Sequence, residues 1–202
     1  TRGTGGDPVI KLSSNECALG PSPAALRAYG AHAGTLVRYP ETGCDALRGA
    51  LAERHGLEAA RLVCGNGSDQ IVHVLTALYA GHGDEVVFSE YGFLRFKLSA
   101  IACGATPVSA KEIRHTTSVD ALLAAVTERT KVVLLANPNN PTGSYVPKAE
   151  LERLCTALPP TVLLVIDSAY AEFAERDDYS DGADLVRRSE NVVMTRTFSK
   201  AY

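Results

Sequence analysis

The chain has 202 residues, 46% hydrophobic and 21% charged, a balance that suits one substantial folded core and excludes a disordered or fibrous chain. A formal net charge of −3 excludes a general electrostatic attraction to nucleic acid or to an anionic membrane surface. No apolar run approaches the roughly 20 residues of a membrane-crossing helix, and Thr1–Asp7 carries no apolar secretory core.

In chain order, residues 1–21 are rich in Gly and Pro and read as an extended arm. Amphipathic helices are predicted over Ser22–Ala31 and Asp45–His55, the second stopped by Gly56. Strand and helix signals then alternate. Short apolar runs at Leu62–Cys64, Glu85–Ser89, Thr106–Ser109, Lys131–Ala136, Thr161–Asp167 and Asn191–Thr195 predict strands. Helix-period segments fall between them at Ser68–Tyr79, Phe93–Ala102, Ser118–Val126, Pro147–Leu158 and Ala183–Arg188. Val132–Leu135 and Val162–Ile166 are apolar at every position, as strands covered on both faces are. The fold class expected is α/β, a mostly parallel sheet wrapped by helices, with ligand chemistry at the strand ends.

Five cysteines, at 17, 44, 64, 103 and 155, contain no CxxC pair and read as reduced, mostly buried thiols of a cytoplasmic protein. The histidines at 32, 55, 73, 82 and 115 lack metal-ligand spacing, and no metal is expected.

Several strand ends carry polar groups. Gly65-Asn66-Gly67-Ser68-Asp69 opens a helix, where small residues and free N–H groups can hold a phosphate. Helix capping by Ser68 or Asp69 explains the same residues, and the third glycine of a dinucleotide fingerprint is missing. Tyr91 follows the strand ending at Ser89 and is placed either to stack on a flat ring or to pack at a rim. Asn137-Pro138-Asn139-Asn140-Pro141-Thr142-Gly143 is a tight loop after a buried strand. Asp167 ends an apolar run, where a buried carboxylate needs a partner. Lys200 follows Thr197 and Ser199 beyond the last run; alone, such a lysine reads as a solvated surface group.

The NPNNPTG run, Asp167-Ser168-Ala169-Tyr170 and Thr197-Phe198-Ser199-Lys200 together resemble the fold-type-I pyridoxal-phosphate enzymes. Leu12-Ser13-Ser14-Asn15-Glu16, Leu19-Gly20-Pro21-Ser22-Pro23 and Arg38-Tyr39-Pro40 bring the likeness nearest to the histidinol-phosphate aminotransferases. It runs from about Lys11 to Tyr202. The resemblance implies pyridoxal 5′-phosphate held covalently by Lys200, which also shuttles the reacting proton. It implies phosphate contacts from Ser68, Asp69, Thr197 and Ser199, and from Tyr39 of a neighbouring subunit. Tyr91 would stack on the ring, Asn140 and Tyr170 would reach its phenolic oxygen, and Asp167 would pair with its pyridinium N–H.

By the same resemblance, residues 1–30 are an arm with the first helix and residues 31–202 a large cofactor-binding domain. The arginines that grip cofactor and substrate, with a small C-terminal domain, would lie past Lys200. The reaction implied moves an amino group from histidinol phosphate to 2-oxoglutarate in a cytoplasmic homodimer. Aromatic aminotransfer, decarboxylation of an amino-acid phosphate and a non-catalytic dimerisation module are the alternatives. The chain departs from the family's pattern at Ser168, where Glu is common, and at Cys17-Ala18, where Asn-Pro is usual, and it lacks the substrate-facing tyrosine that some members carry near Leu19.

Overall fold

Val132–Leu135 and Leu163–Ile166 are fully buried because their side chains alternate between two covered faces of one sheet. In the computed structural model, which describes Lys11 and residues 13–202, the strands are β1 Glu85–Ser89, β2 Thr106–Ala110, β5 Thr130–Ala136, β6 Leu163–Asp167 and β7 Val192–Thr195. All pair in parallel, in the order β2-β1-β5-β6-β7. The described residues divide into two compact units, one running through Tyr39 and including Phe198–Tyr202, the other Pro40–Thr197. The sheet lies in the second.

Residue parity sorts its core. Val87, Val133, Leu135, Leu164 and Ile166 point to one side, where Leu122 of α5 Val119–Ala125, Leu151 and Leu154 of α6 Lys148–Ala157 and Leu185 of α7 Ala183–Arg188 meet them. Val86, Phe88, Val132, Leu134, Leu163 and Val165 point to the other, against Val72 of α3 Gly67–Tyr79 and Phe96 and Ala100 of α4 Leu94–Ala102. Each fully buried Leu, Ile, Val or Phe contributes about 1.5–3 kcal/mol relative to exposure, so both faces hold the sheet closed. The predicted α/β architecture is the one formed.

The chain leaves β1 for β2, at one edge, and then crosses back over β1 to β5. That reversal opens a crevice at the C-terminal ends of β1 and β5, the usual place for a ligand in a parallel sheet. Helix termini follow local chemistry. Ser118 caps α5 by accepting from the Ala121 amide at 3.2 Å. Gly56, left-handed at φ 61°, ends α2 Asp45–His55.

In the first unit, α1 Pro23–His32 is capped by Ser22, whose hydroxyl accepts from the Ala25 amide at 3.1 Å, and none of its residues is buried. Residues 1–10 and Leu12 of the predicted arm lie outside the described residues. The rest of that arm is not simply extended, since Ser14 and Asn15 are left-handed and the Gly20 amide bonds back to the Cys17 carbonyl at 3.2 Å.

Two more expectations are corrected, and one element is new. Leu62–Cys64 is no strand: Leu62 is extended, but no described residue pairs with the segment, and Val63 is 82% exposed. An apolar run becomes a strand only when its backbone groups find a ladder. The five cysteines are free but half-buried rather than mostly buried, because several stand at element ends, such as Cys44 before α2 and Cys103 after α4. A small hairpin, β3 Glu112–Ile113 with β4 Thr116–Thr117, was not expected; its turn uses Arg114 and His115, both at positive φ. No helix of the described residues is long and apolar enough to cross a membrane.

Candidate active site

Parallel pairing sets Ala136, Asp167 and Thr195 side by side at the ends of β5, β6 and β7. Asp167 is 5% exposed, and the Thr195 hydroxyl donates to its carboxylate at 2.9 Å. The Ser68 hydroxyl and the Ala169 amide also bond it. Burial pushes the Asp167 carboxyl above the ordinary carboxylate range, and those three hydrogen bonds oppose the push without cancelling it. The Asp69 carboxylate adds to it. A carboxylate that stays charged here gains by facing a cation or a charged N–H donor.

Ser68 stands in the first turn of α3, just after Gly67 at φ 76°. Gly67 lies beside Thr197: a β-carbon added at Gly67 would come 4.0 Å from the Thr197 hydroxyl oxygen. The first turn of α3 therefore lies beside the Thr197 side chain, and a helix N-terminus with a hydroxyl next to it favours an anion. Asp69 is half-exposed, its carboxylate in an ion pair with Arg95 at 2.6 Å, so what it can offer an anion is its amide.

The loop after β5 is fixed from within. The Asn137 side chain accepts from the Val146 amide at 2.8 Å and donates to the Val146 carbonyl at 3.2 Å. The Asn139 amide donates to the Ser144 carbonyl at 2.7 Å, closing the turn that carries half-buried Asn140. Across the crevice, Asn139 Nδ2 donates to the Tyr91 carbonyl at 3.2 Å. Tyr91 is partly exposed and lies 5.2 Å, centroid to centroid, from His115 on the hairpin turn. Tyr170, half-buried just beyond β6, tilts against Phe173 at 6.3 Å.

Ser68, Asp69, Tyr91, Asn140, Asp167, Tyr170 and Thr197 all stand at the C-terminal rim of the sheet or on the helix facing it. The remaining candidates belong to the other unit. There Lys200 Nζ donates to the Ser14 carbonyl at 3.5 Å, Ser199 is exposed, and Tyr39 is exposed in full. Thr195 was missed in the sequence. Its signal was the register that the last residue of β7 had to share with Asp167.

The chain was compared with known proteins. The family described as aminotransferase class I and II matches residues 7–202. The histidinol-phosphate aminotransferase of Paramagnetospirillum magneticum is 56% identical over 198 residues, covering 98% of this chain and 54% of that protein. That of Rhodospirillum centenum is 56% identical over 194 residues, 96% of this chain and 54% of its own. The crystal structure of histidinol-phosphate aminotransferase from Sinorhizobium meliloti, in complex with pyridoxal-5′-phosphate, superposes with a TM-score of 0.87. It is 35% identical and covers 94% of this chain and 52% of that one. The chain thus spans about half the length of the curated relatives it matches. With a doubly wound sheet, a buried aspartate at its rim and these relatives over nearly its whole length, the chain belongs to the aminotransferase class I and II family.

Proposed function

We propose that the protein of which this chain is part is a pyridoxal-phosphate-dependent aminotransferase acting between histidinol phosphate and 2-oxoglutarate in histidine biosynthesis. The observation that carries this reading is the Asp167 carboxylate, buried at the strand ends and raised by desolvation. A protonated ring nitrogen is the partner that relieves it, and the amides opening α3 beside Thr197 suit the phosphate of the same molecule. Relatives at 56% identity named histidinol-phosphate aminotransferase support the substrate.

When bound, pyridoxal phosphate supplies an electron-accepting ring that stabilises negative charge at the α-carbon of the amino donor. Asp167 would keep the ring nitrogen protonated, and Thr195 and Ser68 would keep Asp167 aimed at it. Asn140 and Tyr170 would hold the ring oxygen, and Tyr91 would cover the ring face. The Ser68 and Asp69 amides, Thr197 and Ser199 would anchor the phosphate, joined by Tyr39 from a second copy in a homodimer. Lys200 would hold the cofactor and take the proton from the substrate's α-carbon. Free thiols at all five cysteines support a reducing, cytoplasmic setting.

Steady-state kcat/KM of the full-length protein for histidinol phosphate and for phenylalanine tests the substrate. Histidinol phosphate should lead by well over tenfold, more than ~1.4 kcal/mol of transition-state binding. A lead of about tenfold for phenylalanine assigns the protein to aromatic amino donors instead.

A further inference from the structure

Tyr179 stands outside the expected site, yet it joins two of its walls. Its hydroxyl donates to the Asn137 carbonyl at 2.8 Å. Asn137 is the first residue of the loop that carries Asn140, and its own side chain already spans to Val146. On the other side, the Ser168 hydroxyl donates at 2.8 Å to the carbonyl of Asp181, two residues beyond Tyr179 on the same segment. Ser168 directly follows Asp167. The Tyr179–Asp181 segment therefore ties the loop of Asn140, through the phenol, to the turn of Asp167, through Ser168.

The surrounding contacts make that junction stiff. The Tyr179 ring meets Tyr145 edge-on at 6.2 Å, and the Tyr145 hydroxyl donates to Asp178 at 2.7 Å. The Lys148 amide donates to the Asp178 carbonyl at 2.7 Å, and Asn137 Nδ2 reaches the Ser180 carbonyl at 3.4 Å. Arg196 binds Asp181 at 2.9 Å and pairs with Glu172, fixing the far end of the segment to the end of β7. Burial raises the Tyr179 hydroxyl well above the ordinary phenol range, so it remains a proton donor at any working pH.

We infer that Tyr179 is a positioning residue that fixes Asn140 relative to Asp167, acting through the Asn137 carbonyl rather than on any ligand. The inference rests on the site proposed above, and it assigns to Ser168, where relatives of the resembled family often carry Glu, the task of seating this clasp. Tyr179→Phe deletes one oxygen and keeps the ring on Tyr145. Ser168→Ala removes the segment's bond to the turn of Asp167, at the Asp181 carbonyl, and serves if the first variant folds poorly.

Two measurements on full-length protein test it. In ligand-free protein, Tyr179→Phe should speed amide hydrogen exchange at Asn139 and Gly143, whose bonds close the loop, by about fivefold, the worth of one neutral hydrogen bond. The second is a double-mutant cycle on pyridoxal-phosphate affinity. Tyr179→Phe should weaken binding by about fivefold in the wild-type background. In an Asn140→Ala background it should change binding by less than about twofold, because a residue acting through Asn140 has nothing left to position. Equal losses in both backgrounds, or unchanged exchange at Asn139 and Gly143, would overturn the inference. If Asn140→Ala itself leaves affinity intact, the assignment of Asn140 to the cofactor fails, and the ligand-free exchange still decides whether Tyr179 holds the loop.

Discussion

The Thr195 hydroxyl reaches the Asp167 carboxylate at 2.9 Å because parallel register sets the last residues of β7 and β6 side by side. A threonine there orients the carboxylate without neutralising it. Asp167 is left buried, aimed and charged at a cost, and that is the condition in which binding a protonated nitrogen returns most.

Asp167→Asn should therefore divide two properties that usually fall together. With the cofactor present, turnover should drop about a thousandfold or more, since losing a buried charge partner is commonly worth 3–5 kcal/mol. Without it, the variant should melt no lower than wild type near neutral pH. A carboxyl whose pKa is raised by folding contributes its stability fully below the unfolded value, about 3.9, and loses it as pH rises through the folded value. The asparagine variant should gain on wild type as pH climbs from that region. Calorimetry of ligand-free protein across pH, beside steady-state kinetics, checks both halves. Turnover within about threefold of wild type contradicts the role given to Asp167.

Leu154 on α6 is fully buried in the layer shared with Leu122 and Leu164. Leu154→Ala should cost about 2–5 kcal/mol in a denaturant melt of the full-length protein. A loss below about 1 kcal/mol would mean that this face of the sheet is not closed by α6.

Much of this architecture was legible because it rests on burial. Glu85–Ser89 and the doubly covered runs of β5 and β6 announced themselves by unbroken apolar stretches, and Asp167 by ending one. What depended on pairing was not legible. Leu62–Cys64 has the composition of a strand but no ladder among the described residues. The Glu112–Thr117 hairpin turns on Arg114-His115, with no Gly or Asn to mark its left-handed pair. Thr195 and Tyr179 matter through contacts 28 and 42 residues away in sequence, which local pattern does not encode.

Tyr39 is fully exposed at the end of its unit, beside exposed Leu36 and Val37. If its hydroxyl completes the phosphate site of a second copy, Tyr39→Phe should weaken cofactor binding about tenfold to a hundredfold, the range for a hydrogen bond to a charged group. Mixing Tyr39→Phe with Lys200→Ala subunits should then restore activity, because both defects fall on one site of the mixed dimer and leave the other intact. No recovery after demonstrated subunit exchange, or a fully active monomer, rules out the shared site.

The most direct test asks where the cofactor attaches. Full-length protein incubated with pyridoxal phosphate, reduced with borohydride and digested should yield one labelled peptide, carrying its modification on Lys200. Folded protein that takes up no label, or takes it on another lysine while Lys200 stays unmodified, would contradict the proposed cofactor site.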